Sequence, residues 1–246
     1  MGNFPAKLHR IVAHRGASAD APENTLAAIK LAIEHGARSV EIDAMISSDG
    51  VAFLHHDDKL ERCTNGTGYL CAVDAAELDS LDASGGNQNY SSEPLPRLTS
   101  VVTELSNHGI GLNLEIKPTP GLEAATATAV VNCLKDTWPE SLPLVLSSFS
   151  KDALFEAKAL WPEAPRALIT CAIPDDWQSA LQTLQCTNLH MAAPLLNADS
   201  ARKIKADGYG LYCYTVNDVE EARALLDMGA DGVFTDQPKL LLTNLS

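Results

Sequence analysis

Short apolar runs alternate with stretches of helical periodicity along the whole chain, and this rhythm constrains the fold more than any other feature. The runs are short and apolar throughout, which is typical of strands that are covered on both faces. They span Arg10–Ala13, Ser39–Met45, Gly111–Ile116, Leu142–Ser147, Arg166–Thr170, Thr187–Met191, Gly210–Thr215 and Gly232–Thr235. Eight strand–helix units in 246 residues predict a single (β/α)₈ barrel domain over residues 1–246.

The helical stretches stop at residues that commonly end helices. We predict helices over Asn24–His35, Leu98–Asn107, Gly121–Lys135, Lys151–Leu160, Asp176–Gln185, Asn197–Ala206, Asp218–Met228 and Gln237–Leu245. Several of them are followed closely by a glycine, such as Gly36, Gly109 or Gly208. An open doubly wound sheet is the alternative fold. Polar residues end several different strands, as they do at a barrel mouth, and a glycine-rich phosphate loop is absent, so the barrel is favoured.

Residues 58–96 interrupt the rhythm. This stretch contains the turn pairs Asn65-Gly66 and Gly85-Gly86, and it shows helical periodicity only around Asp74–Leu81. It is too long for a simple strand–helix loop. We predict an insertion after the second strand that folds over the barrel mouth, either as a substrate-selecting lid or as a plain surface excursion.

The composition of the chain disfavours some classes of binding partner. The chain has 32 acidic and 18 basic residues, a net charge of −14, which disfavours nucleic acid and anionic membranes as partners. An anionic small-molecule substrate would need a local cationic site. The six cysteines form no Cys-x-x-Cys pair, as expected of reduced core thiols. The N-terminus has no apolar signal core, and no apolar run approaches the ~18 residues of a membrane span. We expect a cytoplasmic enzyme.

Two of the predicted strands carry polar residues at alternate positions. Glu41 and Asp43 share one face of the second strand, and Asn113, Glu115 and Lys117 share one face of the third. Alternating charge on a strand usually marks a solvated face, but a strand inside a barrel has none. Three carboxylates at one mouth would repel each other and need a cation. Oxygen ligands favour Mg²⁺ or Ca²⁺, and the lack of a His/Cys cluster at ligand spacing disfavours Zn²⁺.

Two histidines are candidates for proton transfer. His14 ends the first apolar run and is followed by Arg15, so a base and a fixed cation stand together at a strand exit, which suits a phosphate. His56 follows a short apolar segment and would meet His14 across the mouth. The alternative for His56 is a hydrogen-bonded structural histidine. We interpret the adjacent His55 as the packing member of its pair.

Further residues at strand ends are expected to shape the mouth rather than to react. His190 ends the sixth run and either lines the mouth or is structural. Tyr214 would form an aromatic wall, with Tyr212 deeper on the same side. Thr235 or Asp236 would cap the final helix.

These motifs together resemble one family. His14-Arg15-Gly16, Pro22-Glu23-Asn24-Thr25, Glu41-x-Asp43, His56-Asp57 and Glu115-x-Lys117 occur in this order, with weaker matches at Ser148-Phe149, Tyr214-Thr215-Val216-Asn217 and Thr235-Asp236. Each motif alone is weak, but the ordered set is specific. The chain closely resembles bacterial cytosolic glycerophosphodiester phosphodiesterases over essentially its whole length.

The resemblance implies a (β/α)₈ barrel with a small insertion after the second strand. It implies hydrolysis of glycerophosphodiesters, such as glycerophosphocholine or glycerophosphoethanolamine, to sn-glycerol 3-phosphate and an alcohol, with a divalent cation, often Ca²⁺ or Mg²⁺. The implied roles are metal ligands at Glu41, Asp43 and Glu115, paired catalytic histidines at His14 and His56, and phosphate contacts at Arg15 and Lys117. Tyr214 stands where relatives often have tryptophan, so the shape of the glycerol pocket does not transfer.

Several alternatives stay open at the level of sequence. The nucleophile is either the glycerol 2-hydroxyl, which would give a cyclic phosphate that water opens, or a metal-bound water. Either histidine can be the base. The alternative functions are a lysophospholipid-cleaving phosphodiesterase and a non-catalytic barrel that binds phosphorylated metabolites. The sequence does not indicate the headgroup, the metal used in the cell or the oligomeric state.

Overall fold

Eight parallel strands close into a barrel in the computed structural model, which describes residues 4–90 and 92–245. The strands are β1 (Ile11–His14), β2 (Ser39–Ile46), β3 (Ala52–Leu54), β4 (Gly111–Ile116), β5 (Leu144–Ser148), β6 (Arg166–Thr170), β7 (Asn188–Ala192), β8 (Gly210–Tyr214) and β9 (Gly232–Thr235). Strand β1 pairs in parallel with both β2 and β9, which closes the ring, while β3 pairs antiparallel with β2 outside it. This confirms the predicted (β/α)₈ barrel.

Helices follow the barrel strands in the predicted order. They are α1 (Leu26–Glu34), α2 (Ala75–Leu78), α3 (Leu98–Asn107), α4 (Glu123–Leu134), α5 (Lys151–Leu160), α6 (Trp177–Leu184), α7 (Ala198–Ala206), α8 (Val219–Asp227) and α9 (Pro238–Leu245). Helices α3 and α5 have the predicted bounds. Apart from α2, the others are shorter by one or two residues at one or both ends, because the residue that caps a helix is not itself helical.

Several predicted ends were therefore wrong in detail. Helix α1 begins at Leu26 rather than Asn24, since Thr25 is its N-cap and accepts a hydrogen bond from the Ala28 amide. Strand β5 begins at Leu144 rather than Leu142, and the intervening Pro143 has no N–H to donate. Strands β1 and β7 each lie one residue later than predicted, so His14 belongs to β1.

The barrel interior is filled below its mouth by inward-facing side chains. Along each strand, alternate residues point into the barrel and the others face the helices. One buried apolar cluster consists of Leu8, Val12, Val145, Ala167, Tyr212 and Phe234. The Tyr212 hydroxyl donates a hydrogen bond to the Leu8 carbonyl, which ties the chain before β1 to this cluster. The barrel is therefore a packed core, and the space for a ligand lies at the carboxyl ends of its strands.

The segment between β3 and α3 has its own small core. It contains a 3₁₀ turn at Leu70–Ala72 and the short helix α2, and its apolar residues pack with Met45 and Phe53. Helix α2 is shorter than the predicted helical stretch Asp74–Leu81, because Asp74 is its N-cap. A lid function for residues 58–96, and the single-domain assignment of the chain, stay predictions. No helix in the described ranges is long and apolar enough to cross a membrane.

Candidate active site

Three buried carboxylates meet at the mouth of the barrel. Asp43 on β2 pairs in register with Glu115 on β4, and Glu41 pairs with Asn113 one step deeper. Because these positions share the inward face, one carboxylate oxygen from each of Glu41, Asp43 and Glu115 lies within 4.8 Å of the other two. The strand alternation thus brings the three predicted metal ligands together.

Two cations lie against this carboxylate cluster. Arg15 Nε is 3.2 Å from Asp43 Oδ2, and Lys117 Nζ is 3.3 Å from Glu115 Oε1 and 3.7 Å from Asp43 Oδ1. The backbone amide of Arg15 donates a hydrogen bond to Glu41 Oε2 at 3.1 Å. Both predicted phosphate contacts therefore also neutralise carboxylates, and Asp43 receives most of that positive charge.

The pKa values of the three carboxyl groups differ because the positive charges of Arg15 and Lys117 are not shared equally among them. Burial opposes ionisation of Asp43, but the charges of Arg15 and Lys117 outweigh it and lower the pKa of Asp43. Burial and the charge of Asp43 raise the pKa of Glu41 well above its usual value and raise the pKa of Glu115 to about 7. At Glu41 and Glu115 the nearby positive charge therefore does not offset burial and the charge of Asp43, and more positive charge is needed to favour the ionised forms. A bound divalent cation would supply it, and three carboxylates suit a hard ion such as Mg²⁺ or Ca²⁺.

His14 is held by an aspartate that follows the last strand. Its Nδ1 lies 2.7 Å from Asp236 Oδ1, and its Nε2 lies 3.9 Å from Glu41 Oε2. Asp236 also accepts hydrogen bonds from Ser18 and from the side chain of Asn217. Burial opposes ionisation of Asp236, but the hydrogen bond with His14 lowers its pKa to about 2. Asp236 therefore fixes the ring of His14 instead of capping the last helix.

His56 is held differently, by an aspartate that is itself bound to an arginine. His56 Nδ1 lies 2.6 Å from Asp57 Oδ1, and Arg62 donates to both oxygens of Asp57, at 2.6 and 3.0 Å. Arg62 also donates to both oxygens of Glu23, which accepts a further bond from Arg15. Burial lowers the pKa of His56, and the charge of Asp43 opposes this shift. A continuous ionic chain thus joins the two predicted catalytic regions.

The Pro-Glu-Asn-Thr motif now has a structural explanation for each polar residue. Glu23 bridges Arg15 and Arg62, and Thr25 caps α1. The Asn24 amide donates to Asp43 Oδ2 at 2.8 Å, and its oxygen accepts the Asp43 backbone N–H. The sequence indicated that this motif was important, but Glu23, Asn24 and Arg62 were not predicted as site residues. Only the fold shows which partners they reach.

A cavity of about 220 Å³ lies between these groups and a set of apolar side chains. We call its two sides the charged wall and the aromatic wall. The charged wall consists of His14, Arg15, Glu41, His56, Glu115 and Lys117, with Asp43 buried directly behind it. The aromatic wall consists of Phe149, Ile169, His190, Tyr214 and Phe234. A larger cavity of about 700 Å³ opens beside α7 and α8, but none of the predicted site residues lines it.

The aromatic wall is held together by ring contacts. Phe149 and Tyr214 pack edge to face with their centroids 6.1 Å apart, and the Tyr214 hydroxyl donates to the Thr170 carbonyl at 3.0 Å. The ring of His190 packs against Phe234 at 5.0 Å and against Tyr212 at 5.5 Å. The predicted placement of Tyr214 and His190 at the mouth agrees with this geometry. Ile169 and Phe234 were missed, because they sit in apolar runs that look like any core strand.

The comparisons with known proteins agree with this geometry. Residues 14–240 match the model of the glycerophosphoryl diester phosphodiesterase family. A glycerophosphodiester phosphodiesterase of Caldanaerobacter subterraneus is 29% identical over 94% of this chain and 96% of its own length. A protein of Bacillus subtilis named as a putative glycerophosphodiester phosphodiesterase is 31% identical over 94% of this chain and 96% of its own length.

Solved structures extend the likeness to three dimensions. An Oleispira antarctica phosphodiesterase, solved in complex with the product sn-glycerol-3-phosphate, is 44% identical, covers 97% of both chains and superposes with a TM-score of 0.94. A glycerophosphodiester phosphodiesterase of Agrobacterium tumefaciens is 26% identical, covers 96% of this chain and all of its own, and has a TM-score of 0.76. The chain belongs to the glycerophosphoryl diester phosphodiesterase family and is a phosphoric diester hydrolase.

Proposed function

We propose that the chain hydrolyses glycerophosphodiesters, such as glycerophosphocholine and glycerophosphoethanolamine, to sn-glycerol 3-phosphate and an alcohol. The observation that carries this proposal is the charged wall, where three carboxylates, two cations and two aspartate-backed histidines border one cavity of about 220 Å³. The product bound to the Oleispira antarctica enzyme supports the same substrate class.

In this proposal, Glu41, Asp43 and Glu115 hold a divalent cation, Mg²⁺ or Ca²⁺. When bound, such an ion supplies Lewis-acid neutralisation of charge beside the phosphate. Arg15 and Lys117 border the same space and contribute positive charge for the non-bridging phosphate oxygens. A phosphodiester monoanion repels an incoming oxygen nucleophile, so this positive charge lowers the barrier to attack.

The two histidines exchange protons with the reacting oxygens. Burial lowers the pKa of His56, which favours the neutral ring that a general base needs, so we assign it to the nucleophile. His14, whose Nδ1 is held by Asp236, is assigned as the acid that protonates the leaving alcohol. His56 takes the proton of the glycerol 2-hydroxyl, and the oxygen of that hydroxyl forms a bond to phosphorus. The bond between phosphorus and the oxygen of the leaving alcohol breaks, and this oxygen gains a proton from His14. Water then opens the cyclic phosphate with the proton transfers reversed.

The experiment is a panel of glycerophosphodiesters assayed for glycerol 3-phosphate with and without EDTA. We expect turnover that EDTA abolishes and that added Mg²⁺ or Ca²⁺ restores. The variant Glu115→Gln keeps the shape of the side chain but removes one charged ligand, and we expect its metal affinity and its turnover to fall together by more than ~100-fold.

Four results would contradict parts of this proposal. Turnover that survives chelation, or undiminished metal-dependent turnover by Glu115→Gln, would exclude the carboxylate metal site. Tight binding of glycerophosphocholine without product would support a binding barrel instead. Faster cleavage of lysophosphatidylcholine than of glycerophosphocholine would support a lipid-cleaving enzyme.

A further inference from the structure

Buried polar atoms without a partner concentrate around the cavity. In the described ranges, five buried side-chain nitrogen or oxygen atoms have no hydrogen-bond partner, and three of them belong to the cavity-lining residues Arg15, Asn113 and His190. Arg15 Nε is near Asp43 in an ion pair, and Asn113 uses its amide nitrogen on Ser147. Since buried polar groups in native proteins nearly always find a partner, the other two atoms, Asn113 Oδ1 and His190 Nε2, point to a ligand at this place.

His190 is the unusual member of this group, because it lies in the aromatic wall. Its side chain is 1% exposed, and its Nε2 has no partner among the described residues. The rings of Tyr212 and Phe234 pack on it and supply no charge. Burial lowers the pKa of His190 to about 3, so the ring is neutral over the range in which such an enzyme works.

A neutral imidazole is suited to a hydroxyl group rather than to a phosphate. One ring nitrogen donates a hydrogen bond and the other accepts one, and an uncharged ring gives a phosphate no electrostatic advantage. The other polar group of the aromatic wall is already used, since the Tyr214 hydroxyl donates to the Thr170 carbonyl. The Tyr214 oxygen can still accept a hydrogen bond, so His190 is the side chain of this wall that can donate one to a polar ligand atom as well as accept one.

The proposed substrate presents such an atom toward this wall. If the phosphate and the adjacent 2-hydroxyl bind at the charged wall, a cavity of about 220 Å³ leaves the rest of the glycerol group within reach of the aromatic wall. Its carbons would then contact the rings, and its primary hydroxyl, farthest from the phosphate, would need a partner when it is desolvated.

We propose that His190 hydrogen-bonds the primary hydroxyl of the glycerol group and thereby selects glycerol-containing diesters. This inference rests on the proposed function, because it needs the phosphate at the charged wall. His190 acts here as a specificity-determining residue and takes no part in proton transfer.

The test compares two enzymes on each of two substrates. The enzymes are the wild type and His190→Phe, which keeps an aromatic ring for Tyr212 and Phe234 to pack on. The substrates are glycerophosphocholine and the phosphocholine diester of propane-1,2-diol, which keeps the 2-hydroxyl and lacks the primary one. We expect the wild type to prefer glycerophosphocholine by ~10-fold or more in kcat/KM, because removal of the hydroxyl leaves a buried nitrogen unpaired. His190→Phe should bring the preference to within about twofold, mainly by raising KM for glycerophosphocholine.

Tyr212→Phe is the matched control. Tyr212 belongs to the same ring cluster, but its hydroxyl is used by the Leu8 carbonyl and does not line the cavity. This variant should keep the wild-type substrate preference even if its stability falls. If Tyr212→Phe also loses the substrate preference, the loss seen in His190→Phe would be due to altered packing, and the inference would be overturned.

A binding measurement on the wild type avoids any dependence on a variant that fails to fold. By calorimetry with Mg²⁺ present, sn-glycerol 3-phosphate should bind ~10-fold more tightly than propane-1,2-diol 1-phosphate. Equal binding of the two, or equal turnover of the two diesters by the wild type, would overturn the role of His190 and leave the proposed function standing. A wild type that turns over neither diester in the presence of metal would overturn the proposed function and this inference with it.

Discussion

The charged wall and the aromatic wall of the cavity are held together by different interactions, ion pairs in the first and ring packing in the second. In the charged wall, ionic groups contact each other, as Arg15 does with Asp43 and as Lys117 does with Glu115. In the aromatic wall, ring packing provides the contacts and His190 keeps a nitrogen without a partner. Buried charges must be paired to be tolerated, whereas apolar side chains need only fit. The charged wall is therefore suited to chemistry and the aromatic wall to recognition.

The largest effect is expected from the histidines of the charged wall, and it also tests their assigned roles. His56→Asn should lower kcat by about 10²–10⁴-fold on glycerophosphocholine and on the p-nitrophenyl ester of glycerol 3-phosphate. His14→Asn should slow the release of the alcohol comparably from glycerophosphocholine but slow the release of p-nitrophenolate far less, because p-nitrophenolate leaves without needing a proton. Single-turnover rates on the two esters check this, since they exclude the later opening of the cyclic phosphate, in which His14 acts in the reverse role.

His108→Asn is the control for both variants. His108 is exposed at the end of α3, where it bonds the Glu104 carbonyl, and its replacement should leave both rates unchanged. Equal losses on the two esters for both histidine variants would remove the distinction between acid and base.

A smaller effect is expected on stability from the aromatic wall. His190 is buried and its folded-state pKa is about 3, well below the 6.5 of an exposed histidine. Between these values the unfolded chain binds a proton that the folded protein does not, so stability falls as the pH drops below about 6.5. From pH 7 to pH 5 the wild type should therefore lose about 2 kcal/mol relative to His190→Phe.

The measurement is urea unfolding of both proteins at pH 7 and pH 5. The extra volume of phenylalanine lowers stability equally at the two pH values, so the change with pH is the informative quantity. Tyr212→Phe should follow the wild type, since its phenol stays neutral throughout. A pH dependence that is identical in the wild type and His190→Phe would show that His190 is not a buried neutral group.

The smallest effect is expected from the ionic chain behind the charged wall. Arg62→Gln removes the cation that holds Asp57 and Glu23, so Asp57 becomes a freer and stronger counter-charge for His56. We expect kcat/KM to fall about 10-fold. The acidic limb of the pH–rate profile should move to higher pH, because His56 then stays protonated up to a higher pH.

Arg97→Gln is a matched control from the same segment of the chain. Arg97 makes a similar two-bond pair with Asp79, at 2.8 and 2.5 Å, but neither residue lines the cavity. This variant should leave the pH–rate profile unchanged. If Arg62→Gln behaves like Arg97→Gln, the ionic chain does not position His56.

Most of the architecture could be predicted from the sequence. Apolar runs and helical periods located the barrel strands, and the bounds of Gly111–Ile116, Arg166–Thr170 and Gly232–Thr235 were correct. Elsewhere the ends moved by one or two residues, as at Thr25, where cap geometry decides the boundary. The antiparallel strand β3 was missed as a strand, because three residues are too few to show a period.

The residues of the candidate site could likewise be predicted from the sequence, but several of their contacts could not. All seven predicted residues come together at one mouth, although the roles assigned to them stay predictions. Thr235 or Asp236 was interpreted as the cap of the final helix, because the position before a helix favours such residues, yet Asp236 binds His14, 222 positions away. Arg62 lies in the least regular segment and gave no local sign that it reaches Glu23.

The sequence by itself determined the barrel and the inward set of acidic and basic side chains, because alternation along a strand is a local property and unpaired charge inside a core is too costly to occur by accident. Only the tertiary structure decided which aspartate backs each histidine, how the ionic chain runs from Arg15 to Asp57, and that His190 lines the cavity while its Nε2 has no partner among the described residues. Those contacts join residues far apart in the chain, and their geometry exists only after the strands have closed.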